Sequence, residues 1–424
     1  MFEVSNKCAS LDTINHREVE MKLILILMLA SSTVFGATNQ DLERKIDILA
    51  DEIAALKASQ SNIGSNQTAH GLGQAASKVY FINQGLSIGG YGEITYNLKD
   101  AEDEDNNGTD RDPQTEALRN IIYLGYKYND KWILNTEIEI EHVNEVFTEF
   151  LYLDYLASEK LSYRFGLSLI PMGLTNELHE PIYFNSVNRP EVEKYLLPST
   201  WRENGIGAFG KVGNFSYKAF LFNGPDGDAI AAKPSNGIRS GRKKGGANGK
   251  KDASTSLIVL NGNYALNTAT SFGGSIAKGA GSSTSSEDLE LTIAELHASY
   301  RNKALAVKFL ASRADINNAD DWNDANANKM AEVMDGFYIE ASYDIEGTQG
   351  SVYTPFVRFS EYDLQKEFDE DVVANDRSLY RTNTVVGLAY KPIDRLVFKA
   401  DYSYKHRGDD TGVNELNLGL GFVY

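Results

Sequence analysis

Charged side chains stand at every second position in several otherwise apolar segments. Glu137, Glu139 and Glu141 oppose Trp132, Leu134, Ile138 and Ile140. By the same alternation Arg164, Lys218, Lys308, Arg358, Arg381, Lys399 and Lys405 share a face with Asp154, Glu340 and Asp401. Fixed charges lining a wet wall attract ions of opposite sign. As a set they would form a basic ladder opposite an acidic wall, with a field between them. The alternative is that each is merely a hydrated polar residue.

Catalytic and metal chemistry find little support. Of six His residues, His16 and His70 lie in polar N-terminal stretches, and the other four show no metal-ligand spacing. No Gly-x-Ser-x-Gly elbow is present, so the reading is no catalytic residue, no metal and no cofactor. A Ser–His pair assembled in space, as in a barrel hydrolase, is the alternative. The acidic run 98–117 could take Ca²⁺ through its carboxylates. It lacks the full spacing of a calcium-binding loop, which favours a solvated acidic loop. Residues 224–255 are basic and could meet anionic headgroups or solutes, or form a mobile solvated loop.

The elements that would position these charges are strands. Side chains alternate faces along a strand, and here one face is apolar and the other charged. Leu416, Leu418, Leu420, Phe422 and Tyr424 alternate with Asn417, Gly419, Gly421 and Val423 up to the C-terminus. The same period marks 86–97, 118–129, 131–142, 146–157, 160–170, 203–212, 214–223 and 256–267. It continues in 269–279, 289–301, 303–313, 333–345, 350–362, 380–391, 394–406 and 414–424. Most of these are longer than a globular strand and suffice to cross a bilayer when tilted.

Their connections alternate between short turns and long polar loops, the latter including 98–117, 171–202, 224–255, 314–332 and 363–379. A soluble sandwich has no reason to sort its loops so. Outer-membrane barrels have short periplasmic turns, long outer loops and an even strand number. The pattern predicts an all-β fold, a 16-stranded antiparallel transmembrane β-barrel over 86–424, wide enough for an aqueous lumen. Tyr126, Tyr128 and Trp132 around one turn, and Tyr217, Phe220 and Phe222 along another strand, suit interfacial aromatic girdles.

The N-terminus reads in four parts. Residues 1–20 form an extension upstream of a start at Met21. Lys22 and the run Leu23–Ala30 then open a signal peptide over 21–36, too short to span a bilayer. Leu42, Ile46, Leu49, Ile53 and Leu56 form an a/d seam within 37–58, which predicts a short coiled-coil helix that assists oligomerisation. Residues 59–85, rich in Ser, Asn, Gly, Gln and Ala, read as a linker. The one Cys, Cys8, falls in the extension. Net charge is −18, which disfavours nucleic acid as a partner.

The segment Phe165-Gly166-Leu167-Ser168-Leu169-Ile170-Pro171-Met172-Gly173 is followed by His179-Glu180-Pro181, Arg189-Pro190 and Leu197-Pro198-Ser199-Thr200-Trp201. Glu203-Asn204-Gly205-Ile206-Gly207 and Phe220-Leu221-Phe222-Asn223-Gly224 come next. This stretch resembles the phosphate-selective porin O/P family of outer-membrane channels. The resemblance implies a homotrimer of sixteen-stranded pores whose long loop after the fifth strand folds inward as a constriction. On that reading Glu177, His179, Glu180, Arg189 and Arg202 line the constriction. They mix both signs, whereas a phosphate trap needs several uncompensated Arg or Lys. The expected function is passive diffusion of small hydrophilic or ionic solutes, among them anions such as phosphate. The expected surroundings are outer-membrane lipid and lipopolysaccharide, with the N-terminal segment in the periplasm. The competing reading is a barrel with an adhesive or structural role.

Overall fold

Leu296 is 70% exposed, while its neighbours Glu295 and His297 are 3% and 7% exposed. That contrast between adjacent positions is the period-2 rule made visible: the greasy face looks outward and the polar face inward. The computed structural model describes residues 67–109, 112–242, 253–284, 287–326, 330–368 and 374–424. The extension, signal peptide and coiled coil expected for 1–58 lie outside the described residues.

The strands are β1 (Gly85–Lys99), β2 (Gln114–Lys127), β3 (Trp132–Glu141), β4 (Glu145–Ser158), β5 (Leu161–Leu169) and β6 (Arg202–Val212). They continue with β7 (Phe215–Asn223), β8 (Ser256–Ala265), β9 (Thr270–Gly281), β10 (Leu289–Asn302), β11 (Leu305–Ile316) and β12 (Val333–Tyr343). The last five are β13 (Ile345–Glu346), β14 (Val352–Glu367), β15 (Tyr380–Ile393), β16 (Leu396–Arg407) and β17 (Glu415–Val423). The two-residue β13 prolongs the pairing of β12 with β14. Sixteen strands therefore form the wall, all antiparallel, as the alternation predicts. The ring closes where β1 pairs with both β2 and β17, and Gly90 and Tyr424 exchange two backbone hydrogen bonds of 2.9 and 3.0 Å. Closure leaves no unpaired edge, which a bilayer core would penalise.

The interior is well filled. Residues 74–81, expected within a linker, instead form helix α1 (Gln74–Phe81). The stretch ends in Val79-Tyr80-Phe81 but opens with Gln74-Ala75-Ala76-Ser77, which has little apolar surface of its own. It becomes helical here because Leu72, Ala75, Ala76 and Val79 bury against Tyr91, Ile121 and their neighbours on the inner wall. Close approach is possible because β2 carries Gly125, where an added Cβ would fall 2.5 Å from Val79 Cβ.

The connection between β5 and β6, residues 170–201, is the second occupant. Its apolar side, including Ile170, Met172, Val192, Leu196 and Trp201, packs on Phe220, Phe222, Leu257, Val259 and Leu310 of the wall. Phe220 and Phe222 are thus interior residues rather than members of an outer aromatic girdle. Tyr126, Tyr128 and Trp132 do face outward, at 40%, 48% and 37% exposure. On β17 the inward glycines make room for the loop: a Cβ on Gly421 would meet Pro181 Cβ at 2.5 Å. Gly421→Val should therefore destabilise the barrel by about 1–3 kcal/mol through overpacking, read by urea unfolding in vesicles. An unchanged midpoint would mean the loop yields freely.

Candidate functional site

The candidate site is the inward loop with the wall charges that hold it. Asn176 draws its two ends together: its side chain donates to Ile170 O at 2.6 Å and Trp201 O at 3.0 Å, and accepts from Trp201 N at 2.9 Å. From that base the loop crosses the lumen to strands far away in sequence. Tyr338 on β12 donates to Glu193 at 2.6 Å, and Asn383 on β15 donates to Glu191 at 2.7 Å. Asp401 on β16 accepts from Val187 N at 2.6 Å.

The bases read from alternation lie on the inner face, and most of them grip this loop. Arg358 donates to Ser186 Oγ at 2.6 Å and faces Glu340 at 3.3 Å and Glu191 at 3.8 Å. Lys399 donates to Ser186 O at 3.0 Å and sits 3.6 Å over the Phe184 ring. Lys308 donates to Tyr183 O at 3.2 Å, and Lys218 pairs with Glu177 while donating to His70 O. Arg381 donates to Ser378 O at 2.9 Å and lies 5.5 Å from the Tyr195 ring. Lys405 pairs with Glu415 at 2.6 Å. Arg164 makes a two-pronged contact with Asp154, 2.8 and 2.9 Å, and stacks 3.7 Å above Tyr152. These charges serve first as latches and wall pairs; a bare ladder facing open water is not what the structure contains.

The acids form the other part. Glu137 faces His179 at 3.5 Å. Glu139 and Glu141 lie 4.0 and 3.9 Å from Arg119, which also holds Glu93 at 3.0 Å. In the loop itself, Arg189 donates to His179 O at 3.2 Å; Arg202, expected in the constriction, is instead the first residue of β6, where it donates to Thr200 O at 3.1 Å and lies 3.6 Å from Glu149.

Glu180 has a distinct task. Its carboxylate accepts the Ala75 and Ala76 amides at 3.0 and 3.1 Å, capping α1 at its N-terminal end. An anion there interacts favourably with the helix dipole. Burial nonetheless raises the Glu180 pKa, with the backbone N–H bonds opposing the shift. Asn135 donates to Ala76 O at 2.9 Å, and Tyr80 donates to Asp154 at 2.7 Å, so α1 is tied to loop and wall together. Burial between Tyr80 and Phe209 pushes His70 down to about 4, which keeps its imidazole neutral at pH 7. Replacing Glu180 with Gln keeps an acceptor but removes the charge. It should cost about 0.3–1 kcal/mol of α1 docking and speed amide exchange in 74–81, measured by mass spectrometry. Unaltered exchange would show the cap to be idle.

Two cavities flank the loop. The one toward the long loops has a volume of about 370 Å³ and is lined by Lys99, Arg189, Lys194, Arg381, Lys405 and Arg407, with Glu191 and Glu415. The other, about 560 Å³, lies toward the short turns among His70, Glu159, Glu177, Lys211, Lys218 and His297. Part of the basic 224–255 loop is ordered over the inward loop, with Ile230 and Ile238 fully buried and Arg242 donating to Ser199 O. Asn176, Asn383, Tyr338 and Arg119 hold the loop or the wall acids and were not singled out by charge alternation, whereas Asp401 was. Inward register on their strands was the signal for all but Asn176.

No family model matches the chain. An uncharacterized protein of Aquifex aeolicus (strain VF5) is 31% identical over 371 residues, covering 80% of this chain and 81% of that protein. Among solved structures, the anion-selective porin from Comamonas acidovorans superposes with a TM-score of 0.53 at 10% identity, covering 81% of this chain and all of that one. OmpT, an outer membrane protein of Vibrio cholerae in its trimer form, gives 0.51 at 11% identity, again over 81% of this chain and all of that one. At such identities the likeness is one of fold: the closed sixteen-stranded barrel of outer-membrane porins.

Proposed function

We propose a passive diffusion pore for this chain, which belongs to one family with the Aquifex aeolicus protein. The pore sits in a bacterial outer membrane and admits small hydrophilic or ionic solutes without a catalytic step. The observation that carries this reading is the loop 170–201. It lies inside a closed barrel, fastened by wall charges, with a polar cavity toward the long loops and a more apolar one, edged by Glu177, Lys211 and Lys218, toward the short turns. A loop held so narrows a passage and sets its charge, as selectivity by fixed groups requires.

Around the outer cavity six Lys and Arg face two Glu, which favours anions as they approach. The acids Glu93, Glu137, Glu139 and Glu141 deeper in the wall offset that preference. We therefore propose weak anion selectivity without a dedicated phosphate site. Membership of the phosphate-selective porin O/P group rests on the motif residues 165–224. The pore-lining role of the inward charges, export by the 21–36 signal, and trimerisation aided by the 37–58 coiled coil belong to the same proposal.

One observation favours a second reading, a structural barrel with a blocked lumen: α1 and the inward loop together occupy much of the interior. Planar-bilayer recording separates the two. Step conductance with a modest reversal potential toward anions is expected in a salt gradient. Replacing Arg381 and Lys99 with Gln should shift that potential toward cations. A silent bilayer at high protein load would leave the structural barrel standing.

A further inference from the structure

The bottom of the inward loop meets the β3–β4 wall at a group of side chains that the latching scheme leaves unexplained. Glu137 on β3, Glu149 on β4 and His179 on the loop each offer one ligand atom, and these atoms all lie within 4.8 Å of one another. The three residues are 0%, 0% and 2% exposed. His179 Nδ1 must donate to Asn176 O, 2.7 Å away, because a carbonyl only accepts. That leaves Nε2 facing Glu137 Oε1 at 3.5 Å. Glu137 Oε2 has no hydrogen-bond partner among the described residues, and the buried Glu149 carboxylate meets only the equally acidic Glu139 and, at 3.6 Å, Arg202. Buried carboxylates with so few partners are costly, and here they converge on one point.

Glu149 reaches that point by a departure from regular pairing. On β3 and β4, Glu137 pairs with Phe150 and Ile138 with Thr148, so Glu149 is the extra residue of a β-bulge. Phe150, Tyr152 and Asp154 are buried inward, so strict alternation would have put Glu149 outside, on the face of Leu151. The bulge turns it into the lumen beside Phe150.

We propose that Glu137, Glu149 and His179 bind a divalent transition-metal ion, which pins the inward loop to the barrel wall. One imidazole nitrogen and two carboxylate oxygens suit Zn²⁺ or Mn²⁺. The Nδ1–H bond to a backbone carbonyl is the second contact that typically fixes a ligating histidine's tautomer and ring. Arg202, 3.6 Å from Glu149, and Arg189, bound to His179 O, oppose a cation, so affinity depends on all three ligands together. The alternative without metal is protons held within the group, one between Glu137 and His179 Nε2 and one between Glu139 and Glu149. The inference goes beyond the pore reading and stands whether or not the barrel conducts.

The test uses the full chain, purified in detergent and stripped with a chelator. It is then loaded with Zn²⁺ or with Mn²⁺, desalted, and analysed for metal content and by titration calorimetry. One tightly held ion per chain is expected for at least one of the two metals. His179→Gln and, separately, Glu149→Gln should each lower affinity about tenfold or more. Loaded wild-type chains should also resist proteolysis within 170–201 better than stripped ones, and the variants should show no such difference. Heat-modifiable migration on gels reports whether each variant keeps its barrel, and two variants guard against one misfolding. Sub-stoichiometric binding of both ions by the folded wild type, or equal binding by both folded variants, would overturn the proposal.

Discussion

Deletion of residues 67–81 should raise single-channel conductance severalfold and admit larger solutes to proteoliposomes. The segment lies inside the ring against β1 and β2, with Leu72, Ala75, Ala76 and Val79 buried, so its volume is subtracted directly from the aqueous cross-section. Its polar ties run to Asn135, Glu180, Asp154 and Lys218, all of which can be hydrated once the segment is gone. The wall itself is closed by β1–β17 pairing and does not need the helix to stay closed. The deletion therefore separates occlusion from folding. Conductance equal to the parent protein, in a barrel that still shows heat-modifiable migration, would defeat the idea that α1 obstructs the passage.

Arg358→Met is expected to cost about 3–5 kcal/mol, because it strands a buried carboxylate without its counter-charge. Arg358 is 1% exposed, and it faces Glu340 and Glu191 as well as Ser186. Methionine fills much of the same space but offers no charge. Unfolding by urea in vesicles measures the loss, and the R358M/E340Q pair should recover much of it. Current traces of the single variant should flicker as the loop works loose. A loss under about 1 kcal/mol would mean that water already reaches the pair, and that it behaves as a surface ion pair.

The barrel was legible because two independent patterns in the chain agree. Period-2 alternation fixed which side chains face in, and the short–long sorting of connections fixed the topology. Inward placement of Arg164, Arg358, Lys399 and Glu137 followed directly from that register. Their partners did not, since Arg358 with Ser186 and Lys399 with the same residue join positions that no local pattern links. Helix α1 was missed for a related reason. Gln74-Ala75-Ala76-Ser77 reads as linker on its own and gains its helical stability from a wall that appears later in the chain. Glu149 escaped notice because a bulge breaks the period used to assign faces. Glu137, Glu149 and His179, the proposed ligands, likewise come from two strands and a loop, so no spacing rule could have gathered them.

The position of α1 constrains the order of assembly. The helix directly precedes β1, and β1 forms the seam with β17, the strand farthest from it in chain order. Once that seam zips, a segment caught within the ring can leave only endwise through a mouth, never sideways through the wall. The helix must therefore be enclosed while the ring is still an open sheet, or thread in afterwards against the loop. Refolding should then be history-dependent: chains whose seam shuts early would sit as a kinetically trapped, helix-out population that only slowly matures.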